Sequence, residues 1–191
     1  MLLHVNVQPT LLTVQYQASN PLSEPLYLNH QLFDWYNLLN DPAHAPSQNR
    51  SATPTASLAY VGLTGADEVT LYAADIPLPP GVSVFAPRVP LATRLLPGET
   101  TTATLRLPLP LDEWHAYEPP EPARAGMVMV STLRVSIRAV RHSVCTHVQA
   151  HPTFRGVWRV TGYPEDELTA RVVANAPIPV RRRSDPIYRP L

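Results

Sequence analysis

Within ten residues the chain places His142, Cys145, His147 and His151. Imidazole nitrogen and thiolate sulfur are ligands for zinc and copper, and a cysteine near a histidine can also begin a nucleophilic pair. If an extended strand runs through this segment, Cys145 and His147 share a face about 6.6 Å apart, within reach of one ion. His151 then lies about 13 Å beyond His147, too far for the same ion unless the chain turns before Pro152. A site built on Cys145 and His147 needs outside ligands, for which His4, His30 or an aspartate qualify. A cysteine nucleophile needs an activated thiolate and an oxyanion site, and neither is visible. The competing reading is a small buried thiol among strand residues, and it is the expectation because a free cysteine is most often buried and inert.

Other catalytic signatures are missing. Ser83 sits in GVSVF, which lacks the second glycine of a nucleophile elbow, and the chain has no GxGxxG, HExxH or EF-hand loop. All 15 basic residues are arginine. The absence of lysine excludes Schiff-base, P-loop and kinase-type lysine chemistry. The carboxylates Asp112, Glu113, Glu118 and Glu121 cluster in a loop, where a solvated acidic surface is expected. The reading leans away from an enzyme, and no cofactor is implied.

The arginines carry more. Arg106, Arg134, Arg138, Arg159 and Arg171 each fall on the polar side of an alternating run, Arg134 and Arg138 on the same one. Paired across neighbouring strands they would form a basic stripe; the plainer expectation is that a lysine-free surface uses arginine for solubility. The arginine run Arg181, Arg182 and Arg183, with Arg189, complements the acidic loop, which adds Trp114 and Tyr117 as aromatic anchors. Guanidinium binds carboxylate through two parallel hydrogen bonds and stacks on aromatic rings, so tail and loop could dock within one chain or between copies. With 15 basic and 15 acidic residues the net charge is zero, which gives no global drive towards nucleic acid or an anionic membrane.

These residues are positioned by strands. From Leu133 the chain alternates: Leu133, Val135, Ile137 and Ala139 on one side, Arg134, Ser136 and Arg138 on the other. A strand turns successive side chains to opposite faces, so Met127–Val140 reads as an interior strand with a wet, basic outer face. Similar alternation marks Leu3–Val7, Leu12–Tyr16, Leu26–Phe33, Ala103–Leu109, Val157–Tyr163 and Leu168–Ala174. Leu58–Leu63 and Glu68–Ala74 read as a hairpin about Thr64–Asp67, and Val82–Phe85 as a short strand. With 23 prolines in 191 residues, few other long central strands are possible. Residues 40–57 and 112–126 read as long loops.

Seven to nine short strands without an amphipathic helix predict an all-β antiparallel sandwich, with a closed barrel as the alternative. The turn and strand LLPGETTTATLRLPL (Leu95–Leu109) is similar to immunoglobulin-like β-sandwich modules. That resemblance implies a fold and no site residues, since the Cys…Trp…Cys signature is absent. The predicted organisation is one domain, 1–174, followed by an extended Pro/Arg-rich tail, 175–191. No window is apolar enough for a membrane helix, and the opening MLLHVNVQPT alternates like a strand rather than a signal peptide. A single cysteine fits a reducing, cytoplasmic setting.

The function expected is a non-catalytic module that binds a protein partner or itself through Trp114, Tyr117, Arg134, Arg138, Arg181, Arg182 and Arg183. A small-ligand or metal-binding protein using the His142–His151 segment is the alternative, and a Cys/His hydrolase stands last.

Overall fold

The computed structural model describes residues 1–32, 59–74, 90–113, 124–151 and 154–183. The expectations for Trp114, Tyr117, Glu118, Glu121, Arg189, the loop 40–57 and the strand Val82–Phe85 lie outside the described residues. The strands are β1 (Leu2–Val7), β2 (Leu11–Ser19), β3 (Leu26–Gln31), β4 (Tyr60–Gly65), β5 (Glu68–Tyr72) and β6 (Leu91–Leu95). They continue with β7 (Thr100–Pro108), β8 (Leu111–Asp112), β9 (Arg124–Arg141), β10 (Cys145–Ala150), β11 (Val157–Gly162) and β12 (Asp166–Arg183). Among the described residues the only helical turn is a 3-10 turn at His142–Val144.

A three-stranded sheet, β1-β2-β7, lies over a nine-stranded one, β10-β11-β6-β3-β9-β12-β8 with the β4–β5 hairpin joined to β9. Among the described residues the sheets do not close into a barrel, and the arrangement is sandwich-like. The inward sides of β2 and β7 (Leu12, Val14, Tyr16, Leu105, Leu107) bury against Leu28, Leu71, Leu133, Val135, Ile137 and Ile178 of the large sheet. Burying a side chain of this size stabilises by about 1.5–3 kcal/mol, so this shared interior dominates the fold. A smaller apolar cluster of Tyr27, Ala92, Val140 and Val160 forms separately, with Val144, Cys145, Val148 and Trp158 packed on it.

β9 organises the large sheet. β12 runs antiparallel along one side of it, from Asp166 opposite Ala139 to Arg183 opposite Arg124. On its other side Thr132–Ser136 pair in parallel with β5, and Arg138–Arg141 pair with β3. Its inward side chains are Val128 and Val130, then Leu133, Val135, Ile137 and Ala139. The alternation therefore slips by one residue between Val130 and Leu133. The slip is a bulge, the device by which a strand changes which side chains face inward without leaving its sheet. Ala174, Asn175, Ala176 and Pro177 of β12 stand there opposite Ser131 alone.

Neighbouring segments tie this irregularity down. The Asp67 carboxylate accepts hydrogen bonds from the Ser131 amide, at 2.6 Å, and from its hydroxyl. The Asp67 carbonyl accepts the Thr132 amide at 3.1 Å. The Ser131 hydrogen bonds hold the Asp67 carboxyl below its ordinary value. Across the sandwich, the Val7 amide donates to Asn175 Oδ1 at 2.9 Å, joining β1 to β12.

Sequence and structure part at the tail. β12 continues through Asn175 to Arg183, so this part of the predicted tail is a strand of the large sheet. The prolines do not break it, because Pro177 lies in the bulge and Pro179 is accommodated opposite Met129. The strands β6 and β8 were not foreseen; both are short, and β8 has two residues.

Candidate functional site

The His142–His151 segment is not one strand. A 3-10 turn spans His142–Val144, and β10 then folds antiparallel onto β11. Gly162 makes the approach possible, since a Cβ there would come within 2.7 Å of the Val144 carbonyl. Cys145 pairs with Gly162 and His147 with Thr161, leaving Thr146 as a bulge. Cys145 and Val148 both pack on the smaller apolar cluster, so His147, exposed and adjacent to Val148, points to the opposite face. The expectation that Cys145 and His147 share a face is corrected by that one-residue insertion. Among the described residues no group of three or more His, Cys, Asp or Glu side chains could hold a metal. The Cys145 thiol donates to the Arg141 carbonyl at 3.2 Å, and burial followed by the Glu24 charge pushes its pKa up, away from a reactive thiolate. His151 is buried, and its Nδ1 accepts the Phe154 amide at 3.2 Å.

His30, considered as an outside ligand, lies in the interior between the two sheets. Its Nδ1 is 2.8 Å from the Tyr16 hydroxyl and its Nε2 is 2.9 Å from the Thr93 hydroxyl, so both ring nitrogens are engaged. Burial lowers its pKa from 6.5 to about 4. The same burial raises the Tyr16 phenol. This is a satisfied structural network rather than a vacant coordination site.

The outer face expected to be basic is charge-compensated. Arg134 of β9 and Arg171 of β12 stand directly opposite each other. Buried Glu68 of β5 lies between them, 3.0 Å from Arg134 Nη2 and 2.6 Å from Arg171 Nε. Thr64 donates its hydroxyl to the same carboxylate at 3.0 Å. One turn of pleat further, Ser136 donates to Glu167 at 2.6 Å, and Glu167 stands opposite Arg138. Arg106 belongs to the other sheet, opposite Thr13, and Arg159 lies on β11. The five arginines therefore do not form a single stripe.

The arginine run and the start of the acidic segment are neighbours in one chain. β8 pairs in parallel with Val180 and Arg181, and Arg181 Nη1 lies 3.5 Å from Asp112 Oδ1. Buried Glu113 accepts the Arg183 amide at 2.8 Å and the Leu63 amide at 3.4 Å. Arg182 turns the other way. With Leu63, Thr64, Gly65, Ala66 and Val128 it lines a depression of about 340 Å³ beside the β4–β5 hairpin tip. Among the described residues Arg182 has no ion-pair partner.

On the outward side of the same region, beyond the bulge, Met127 and Met129 are 56% and 55% exposed. They stand opposite Arg181 and Pro179. Their exposure follows from the phase slip, and its trace in the sequence is the three-residue gap between Val130 and Leu133. Glu68 was missed because alternation assigns faces and not neighbours.

Comparison with protein-family models, with curated proteins and with solved structures finds no match to this chain. Among the described residues no helix is long and apolar enough to cross a membrane.

Proposed function

We propose that the chain is a non-catalytic interaction module that binds a protein partner or a second copy of itself. The observation that carries this reading is the face formed by Met127, Met129, Pro179 and Arg181. Two methionines are exposed side by side on a strand whose outward Arg134 and Ser136 meet partners within the chain. Methionine is unbranched and polarizable, which suits an adaptable contact surface. Apolar side chains grouped in this way on a rigid sheet mark contact surfaces more often than solitary ones do.

The immunoglobulin-like kinship is part of this proposal. It is supported by the Leu95–Leu109 stretch, whose turn leads from β6 in the large sheet to β7 in the small one. The parallel pairings of β5 with β9 and of β8 with β12 weigh against it. A reducing, cytoplasmic setting is likewise proposed, supported by the single Cys145.

The test compares wild-type protein with a Met127→Asp/Met129→Asp variant. Light scattering over a range of concentration and salt measures self-association, and co-purification measures partner binding. The expected result is loss of one or both in the variant with an unchanged melting temperature. Equal mass at every concentration and an identical set of retained proteins would end the reading.

A further inference from the structure

We infer that the free edge of β9 and the depression beneath it form a binding site for an extended peptide carrying a carboxylate side chain. This inference rests on the chain being an interaction module and names the partner chemistry of the same end of the molecule.

The edge supplies the backbone half of the site. β9 is paired with β12 along one side, but on its other side β5 begins only at Thr132 and β3 at Arg138. Among the described residues nothing pairs with that side of Arg124–Val130. Ala125, Gly126 and Met127 are exposed there. A strand edge with unpaired N–H and C=O groups is a template for one more strand. The position of that strand is fixed at one end, because Asp67 already takes the amides of Ser131 and Thr132. An added peptide would extend the row that β5 occupies and stop at the hairpin turn.

The depression supplies the side-chain half. Alternate side chains of an added strand point to one face, and here that face is lined by Leu63 and Val128, the hairpin tip and Arg182. Its volume of about 340 Å³ lies at the small end of the range for ligand clefts. Arg182 stands opposite Gly126, where a Cβ would meet nothing within 4 Å, so no side chain separates the guanidinium from the edge.

Charge selects the ligand. The carboxylates around the depression are engaged: Glu68 by Arg134 and Arg171, Asp112 by Arg181, Asp67 by Ser131, and Glu113 by two backbone amides. Arg182 has no such partner among the described residues. A half-buried guanidinium in the wall of this depression favours a carboxylate over a neutral amide, because a hydrogen bond between two charged groups is stronger than one to a neutral acceptor. The unpaired strand edge requires that the carboxylate be borne by a peptide backbone rather than a free anion.

The test uses fluorescence anisotropy with the labelled peptide Thr-Val-Glu-Val-Thr-Val, its Gln counterpart, and the Glu peptide N-methylated at alternate residues. The Glu peptide is expected to bind about tenfold more tightly than the Gln peptide. Arg182→Gln should remove that difference and Arg182→Lys should keep part of it. N-methylation should abolish binding, since it removes the strand hydrogen bonds. Absence of binding by the Glu peptide, equal binding of Glu and Gln peptides, or undiminished binding by an Arg182→Gln protein of unchanged melting temperature would each overturn the inference. The Met127→Asp/Met129→Asp variant keeps Arg182 and the depression. Association lost in that variant, with no peptide binding by wild type, would sink this inference alone. Peptide binding with no effect of the methionine variant would instead sink the methionine face.

Discussion

The β9–β12 ribbon has two halves that share a backbone pairing and differ in what their outward side chains do. In the half from Thr132 to Ala139 several outward groups are paired internally: Glu68 bridges the opposed Arg134 and Arg171, and Ser136 donates to Glu167. In the half before the bulge, Met127 and Met129 stand opposite Arg181 and Pro179 and are largely exposed. The inward sides do not differ in this way, since Val128 and Val130 pack on the same interior as Leu133 and Val135. The lesson is that paired charges on the outward face of this ribbon belong to the fold. The charges of one half are tied to one another within the chain, and the methionines of the other half are exposed.

The largest effect expected is a pH dependence set by His30 of β3, buried beside Tyr16 in the interior that both halves cover. Its pKa is lowered from 6.5 to about 4. Above the unfolded value neither state carries the proton and stability is complete. As pH falls through that window the unfolded chain takes up a proton that the folded one refuses, so stability is lost. The loss approaches about 3 kcal/mol at the acid end. Urea titrations from pH 7 to 4 should show it, and a His30→Gln variant should flatten the curve.

Next in size is Glu68. Glu68→Ala leaves two arginines face to face without their shared carboxylate, and breaking a buried pair costs about 3–5 kcal/mol. Both arginine side chains are partly exposed, at 42% and 63%, so solvent screening reduces the expected loss to about 2 kcal/mol in denaturant unfolding. A loss below the error of that measurement would erase the distinction between the halves.

Asp67 acts at the boundary. Asp67→Ala should raise hydrogen exchange at Ser131 and Thr132 while strands β2 and β7 stay protected; uniform protection throughout would show that the bulge does not depend on its tie. The smallest effect belongs to the open half. Met127→Asp and Met129→Asp should each change unfolding free energy by no more than about 0.5 kcal/mol, as for surface positions without structural ties. A larger cost would move those methionines to the structural side of the comparison.

What was legible follows the same line. Leu133–Ala139 could be read because one of its faces is buried without interruption and polar residues alternate with it. Asn175–Arg183 could not, because its prolines suggest an extended free segment and nothing local shows that β9 is long enough to pair with it. Thr146 gives no warning that it is an extra residue, yet it moves His147 to the face opposite Cys145. The bridging of Arg134 and Arg171 by Glu68 depends on which strands are neighbours, and alternation carries no information about that. The exposed methionines were the missed opportunity, since the broken spacing between Val130 and Leu133 is present in the sequence.

The hydrogen bond from Val7 to Asn175 spans 168 positions of the chain. Contacts of such separation require a large loop to close before they return any free energy, so the expected folding time is that of β-sandwiches in general, on the order of milliseconds to seconds, which stopped-flow refolding would check. During synthesis at about 5–20 residues per second, β1 and β2 emerge many seconds before β12 can join them. Until then the long strand β9 lacks the partner that covers one of its sides, and that edge is open to pairing with another chain.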